Sequence, residues 1–109
     1  MGYPRLSERK AIRTAEKRAA VKALKEELAA YARARGGRYL LYGSAARGEV
    51  RYDSDIDLLV DFPCEFENAA WNFAEQACAE RGVDPDLNHA AWCRKKFLDH
   101  IALDVEVLG

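Results

Sequence analysis

The chain has 109 residues, of which 50% are hydrophobic and 32% are charged, with a net charge of −1. This length predicts one compact domain over residues 1–109, and the lack of an apolar run of 18 residues argues against a membrane span. Three scattered cysteines form no CxxC motif, and the charged N-terminal stretch has no signal-peptide region, so we expect a reduced, cytoplasmic protein.

Charge is unevenly distributed along the chain. Residues 1–38 carry eleven Lys/Arg and four Asp/Glu, a balance of +7, whereas residues 39–109 carry six and fourteen, a balance of −8. A basic arm on an acidic body could contact nucleic acid, an acidic partner or a triphosphate. We favour the solvated face of a helix over a dedicated nucleic-acid site.

A long basic amphipathic helix is predicted over residues 7–35. The segment is rich in Ala, Lys, Glu and Leu, and Gly36-Gly37 follows it as a helix end. We expect its second half to pack within the chain while its first turns project. Its apolar residues recur at three- and four-residue steps: Ile12, Ala15, Ala19, Ala23, Leu24, Leu28 and Tyr31.

Strands and helices then alternate. Residues 38–42 (RYLLY) read as a buried strand, 44–47 as a short helix and the stretch ending at Val60 as a second strand. A helix is predicted over 66–81, a third strand over 83–89 and a last helix from 90 to about 102. Pro85 predicts that the third strand lies at a sheet edge, because proline cannot donate to a central ladder.

Residues 43–60, GSAARGEVRYDSDIDLLV, contain two aspartates that share one face of the second strand. Asp55 and Asp57 repel one another when both are ionised, and a divalent cation such as Mg²⁺ or Mn²⁺ relieves that cost. Upstream, Gly43 allows close backbone approach to a ligand, and Ser44 offers a hydroxyl and an N–H to a phosphate. Arg47 is placed to reach a triphosphate. The stretch therefore predicts a metal–nucleotide site.

The Gly-Ser pair, ten residues and then DxD resemble the signature of the nucleotidyltransferase superfamily that includes polymerase beta. GSAARG and SDIDLLV are similar to its smallest members, the minimal nucleotidyltransferases. The resemblance implies an α+β fold: a three- to four-stranded mixed sheet packed by helices on one side, with a long N-terminal helix and a catalytic core over residues 38–109. Residues 103–109 alternate like a strand, but the family usually continues as helix there, and we favour helix.

The resemblance also implies a third catalytic carboxylate, on the strand after the second helix. Asp86, followed by an apolar residue, matches that position better than Asp84, which stands beside Pro85 as a turn-former. Asp55, Asp57 and Asp86 would hold two Mg²⁺ ions, with ATP as the nucleotide substrate. His89 and His100 have no second ligand at metal-binding spacing and are expected to be surface or capping residues.

For partners, the resemblance implies an antitoxin role beside a helical HEPN-domain toxin, in a type VII-like toxin–antitoxin pair. The enzyme would transfer AMP to a tyrosine of that toxin. Two alternatives stay open: a non-catalytic antitoxin that occludes its toxin, and an antibiotic nucleotidyltransferase that needs a separate substrate-binding subunit. Nucleic acid is not favoured as a partner, and the oligomeric state is open.

Overall fold

The computed structural model describes residues 6–50 and 55–109. None of the helices in this part of the chain is long and apolar enough to cross a membrane. Two short 3₁₀ turns, Cys64–Phe66 and Ala90–Trp92, precede the second and third helices. In chain order the elements are α1 (Leu6–Arg35), β1 (Arg38–Tyr42), β2 (Ile56–Asp61), α2 (Glu67–Glu80), β3 (Pro85–His89), α3 (Lys95–Ile101) and β4 (Glu106–Leu108).

The strands form one mixed sheet in the order β3-β2-β1-β4. β1 is antiparallel to both β2 and β4, whereas β2 and β3 are parallel and are connected through α2. β3 lies at the edge and begins with Pro85, where a missing N–H costs no central ladder bond. The α+β architecture and the edge position of β3 are confirmed.

The main core lies between one face of the sheet and helices α1 and α2. Tyr39 is fully buried there, and its hydroxyl donates a 2.7 Å hydrogen bond to the carbonyl of Ala70 on α2. Small residues on α2 let this helix approach the sheet closely, since they add little volume between the backbones. Other buried residues of this core are Leu24, Leu28, Leu41, Ile56, Leu58, Val60, Ala74, Ala77 and Cys78.

Only the second half of α1 takes part in this core. Val21 is the first residue of the helix that the core buries, whereas Ile12 is 54% exposed and Ala15 and Ala19 are exposed as well. The apolar stripe is therefore buried only in its second half, in agreement with the expectation that the first turns of α1 project. A helix of this length spans about 45 Å, which is more than a small sheet can cover.

The opposite face of the sheet carries a smaller apolar cluster of Leu40, Leu59 and Ile101. Ile101 belongs to α3, so this helix packs on the second face of the sheet. The prediction placed helices on one side of the sheet, and α3 departs from it. The predicted helix over residues 103–109 is wrong, because β4 pairs with β1 there and buries Leu108. Pairing satisfies backbone groups that β1 would otherwise expose as a sheet edge.

Candidate active site

Two of the predicted carboxylates face each other across neighbouring strands. Asp57 on β2 stands in register with Asp86 on β3, and partners in a parallel pair point to the same face of the sheet. Asp55 lies just before β2, two residues from Asp57, and is exposed. Asp84 precedes β3, and its carbonyl accepts a 3.1 Å hydrogen bond from the N–H of Ile56. Asp86, and not Asp84, is therefore the residue in register with Asp57.

The carboxylates perturb one another. Burial raises the pKa of Asp57 above its usual range, and the negative charges of Asp86 and Asp55 and a hydrogen bond shared with Asp86 raise it further. Each cause disfavours the ionised form of Asp57. A site of this kind has an excess of negative charge that a bound cation would neutralise.

Gly43 brings the backbone directly against this carboxylate. Its φ is +75°, and a Cβ built at this position would lie 2.5 Å from Oδ2 of Asp57. Any other side chain would collide with Asp57 in addition to straining the backbone. The glycine is therefore required both by its conformation and by the position of the carboxylate.

The segment after Gly43 is a tight turn. The N–H of Arg47 donates to the carbonyls of Ser44 (3.1 Å) and Gly43 (3.4 Å), and the N–H of Glu49 donates to that of Ser44 (2.9 Å). The predicted helix over residues 44–47 is reduced to this single turn, which the glycine at position 48 ends with φ +78°. Within the described residues, the N–H groups of Ser44 and the two alanines after it donate no backbone hydrogen bond. Such consecutive free N–H groups suit an anion.

Arg47 is exposed, and its Nη2 lies 3.5 Å from the carboxylate of Glu49. A pair this long and this exposed is weak, so the guanidinium is free to exchange it for a stronger anion. A role of Arg47 in binding nucleotide stays a prediction.

Two polar residues that the sequence analysis missed share this face. Tyr42 pairs with Asp57 across β1 and β2, and Asn88 lies two residues beyond Asp86 on β3. Burial and the charge of Asp57 raise the pKa of Tyr42, while a hydrogen bond with Asn88 lowers it. The ring of Phe97 on α3 meets that of Tyr42 edge-on at 5.5 Å. Alternation along β1 predicts that Tyr42 and Tyr39 lie on opposite faces of the sheet. Only the register of the strands shows that Tyr42 lies beside Asp57.

The two histidines were expected to be surface or capping residues. His89 is buried, not a surface residue as predicted, and its ring lies 4.7 Å from that of Trp71 and 4.5 Å from that of Trp92. Alternation along β3 turns His89 to the side opposite Asp86. His100 is exposed.

Comparison with known proteins identifies the family. A family model described as a nucleotidyltransferase domain matches residues 17–107. The chain belongs to this family. A solved structure described as "Structure of putative minimal nucleotidyltransferase" is similar, with a TM-score of 0.67 and 25% sequence identity over 83% of this chain and 94% of that one. No curated protein sequence matches significantly. These matches support nucleotidyl transfer as the general activity of the domain.

Nucleotidyltransferase domains generally use a nucleoside triphosphate and a divalent metal. Within residues 6–50 and 55–109, no group of three acidic, histidine or cysteine side chains is arranged to hold a metal ion. The donor set nonetheless fits Mg²⁺, because Asp57 and Asp86 share one face with Asp55 beside them, and burial together with the charges of Asp86 and Asp55 raises the pKa of Asp57. Hard carboxylate oxygens are the ligands that this ion prefers.

Proposed function

We propose that this nucleotidyltransferase is the antitoxin of a HEPN-type toxin. It transfers AMP from ATP to a protein acceptor, the hydroxyl of a tyrosine of that toxin. The observation that carries the transfer chemistry is the register of Asp57 with Asp86 on the face of the sheet opposite α1 and α2, next to the turn that begins at Gly43. Acidic side chains and free backbone N–H groups meet there, as a metal–triphosphate complex requires.

Each residue has a defined task in this proposal. The backbone of Gly43 and Ser44 binds a phosphate of ATP, and Arg47 neutralises part of the triphosphate charge. Asp55, Asp57 and Asp86 would hold two Mg²⁺ ions, which would neutralise phosphate charge and lower the pKa of the acceptor hydroxyl when bound. In this proposal Asp86, on the edge strand β3, is the third carboxylate of the group.

The transfer itself balances simply. The acceptor oxygen forms a bond to the α-phosphorus, the bond from that phosphorus to the oxygen bridging to the β-phosphate breaks, and pyrophosphate leaves. The proton of the acceptor hydroxyl is released as the new bond forms. The protein therefore contributes position and charge neutralisation, and it needs no covalent intermediate.

A protein acceptor is favoured by the apolar surface beside the site. Phe97 on α3 is 37% exposed and its ring contacts that of Tyr42, the cross-strand partner of Asp57. A cavity of about 370 Å³ opens on the same face of the sheet, towards the Arg38–Asp61 end of β1 and β2, and its apolar lining includes Leu40, Leu98 and Ile101. Exposed aromatic and apolar side chains near a reactive centre are typical of a surface that binds another protein.

The test is incubation with ATP labelled at the α-phosphate and Mg²⁺, with and without the co-encoded neighbouring protein. We expect label on that protein with the wild type, and a loss of at least about a thousandfold in Asp55→Asn and Asp57→Asn. The control is Arg33→Gln, which changes an exposed residue in the last turn of α1, outside the site. This variant should transfer AMP at the wild-type rate. A tight complex without label would instead support a non-catalytic antitoxin. Label on a small antibiotic, or unchanged turnover in either aspartate variant, would overturn the proposal.

A further inference from the structure

A basic groove runs between α1 and the turn that follows Gly43. It has a volume of about 270 Å³ and lies outside the carboxylate site. Its floor is apolar and its rim is cationic, and no acidic side chain of the described residues lines it. The lining residues are Arg18, Val21, Lys22, Lys25, Ala45, Gly48 and Val50.

The three cations of the groove come from one face of α1. Arg18, Lys22 and Lys25 are spaced four and three residues apart, so their side chains project together on successive turns. Lys25 is bound to Glu106 of β4 at 2.8 Å. Arg18 and Lys22 are exposed, and neither forms an ion pair within the part of the chain that the structure describes. Two cations that have no ion-pair partner among the described residues therefore face the groove.

The groove adjoins the predicted phosphate-binding residues. Its wall includes Ala45, the residue after Ser44, and the chain returns beside Ser44 where the N–H of Glu49 donates to the Ser44 carbonyl at 2.9 Å. At Gly48 an added Cβ would meet nothing within 4 Å, so the backbone there leaves open space beside the cations. A phosphate chain held at Ser44 would therefore have the groove on the α1 side of the same turn.

We propose that the groove binds the distal phosphates of the nucleotide, and the pyrophosphate that they become, through Arg18 and Lys22. This inference rests on the proposed nucleotidyl transfer. In this arrangement the carboxylates would hold the metal at the reacting phosphorus, and the cations of α1 hold the end of the triphosphate that leaves. Guanidinium and ammonium groups are the usual protein partners of phosphate oxygens. A small groove with two free cations matches a few phosphates better than a nucleic-acid strand.

The experiment compares two double variants with equal loss of charge. Arg18→Gln with Lys22→Gln removes the free cations of the groove. Arg13→Gln with Arg33→Gln removes two exposed cations of the same helix that do not line it. Calorimetry measures the dissociation constants of ATP, AMP and inorganic tripolyphosphate in Mg²⁺ for both variants, the wild type and Asp57→Asn.

We expect the groove variant to bind ATP and tripolyphosphate about 10- to 100-fold more weakly, and AMP within about threefold of the wild type. The control variant should bind all three within about threefold of the wild type. The difference should shrink at high salt, because exposed charges are screened.

Several results would overturn the inference. Equal ATP affinity in the two double variants excludes the groove, and so does an equal loss for ATP and AMP, because AMP has no distal phosphates. Weakened binding of a single-stranded RNA with unchanged ATP affinity would assign the groove to nucleic acid instead. If the wild type binds tripolyphosphate through the groove but does not bind ATP, the proposed transfer fails and the groove stands. If it binds neither, both fail.

Discussion

The most informative single change is Gly43→Ala, compared with Gly36→Ala. Both glycines have positive φ, +75° and +69°, so alanine strains the backbone similarly at either position. They differ in their surroundings: the new Cβ would lie 2.5 Å from Oδ2 of Asp57 at position 43, and nothing lies within 4 Å at position 36. The pair separates the cost of conformation from the cost of moving the carboxylate.

The expected magnitudes follow from this geometry. The left-handed conformation costs about 1–2 kcal/mol for alanine, and each kcal/mol lowers Tm by about 4–8 °C in a domain of this size. Both variants should therefore melt several degrees lower. Only at position 43 must the carboxylate retreat by about 1 Å to restore an ordinary contact, and a misplacement of that size costs about a hundredfold in rate.

Two assays separate these effects. Saturating Mg²⁺ and ATP should stabilise the wild type and Gly36→Ala, by about 2.7 kcal/mol at a hundredfold excess over Kd. Gly43→Ala should lose most of that stabilisation and about a hundredfold in transfer rate. Ligand stabilisation and transfer in Gly43→Ala equal to those in Gly36→Ala would show that the contact with Asp57 does not shape the site, and would refute the reasoning.

Two further predictions concern stability. The raised pKa of Asp57 means that metal-free folded protein binds its proton more tightly than the unfolded chain does, so its contribution to stability is lost as pH rises through the folded pKa. Asp57→Asn should thus be more stable than the wild type at neutral pH and lose this advantage in acid. Urea unfolding across pH without metal measures the difference in stability. A difference that does not change with pH would contradict the prediction. Leu108→Ala should cost about 2–4 kcal/mol because Leu108 is buried, whereas Val107→Ala, at a half-exposed neighbour, should cost less than about 1 kcal/mol; equal losses in thermal melts would show that β4 does not seal the core.

The sequence was sufficient to predict positions that depend on spacing along one strand. Asp55 and Asp57 share a face because alternation is a local property, and Pro85 indicated an edge because proline lacks an N–H wherever it stands. The choice of Asp86 over Asp84 used the apolar residue that follows it, and the structure places Asp86 in register with Asp57.

What the sequence could not show depends on contacts between distant segments. β4 spans only residues 106–108, too short for its own alternation to outweigh a helix, and it forms because β1 offers it an unpaired edge. Tyr42 and Asn88 come together across β2, a relation that only the register of three strands defines. The basic groove likewise lies between α1 and a turn about twenty residues later in the chain. The count of charges along the sequence identified the cations of α1, but it could not show that they lie beside this turn.

The register of the sheet couples the stability of the fold to its chemistry. Within β1 and β2, the alternation that buries Tyr39, Leu41, Leu58 and Val60 under α1 and α2 also delivers Tyr42 and Asp57 to the other face. A slip of one residue would bury a carboxylate and expose the core, so the apolar packing that holds the strands also fixes the position of the acids. The face that bears the acids carries α3 and a smaller apolar cluster of Leu40, Leu59 and Ile101. In the proposed transfer an acceptor would approach over this face, whereas the main core that fixes the register lies on the other.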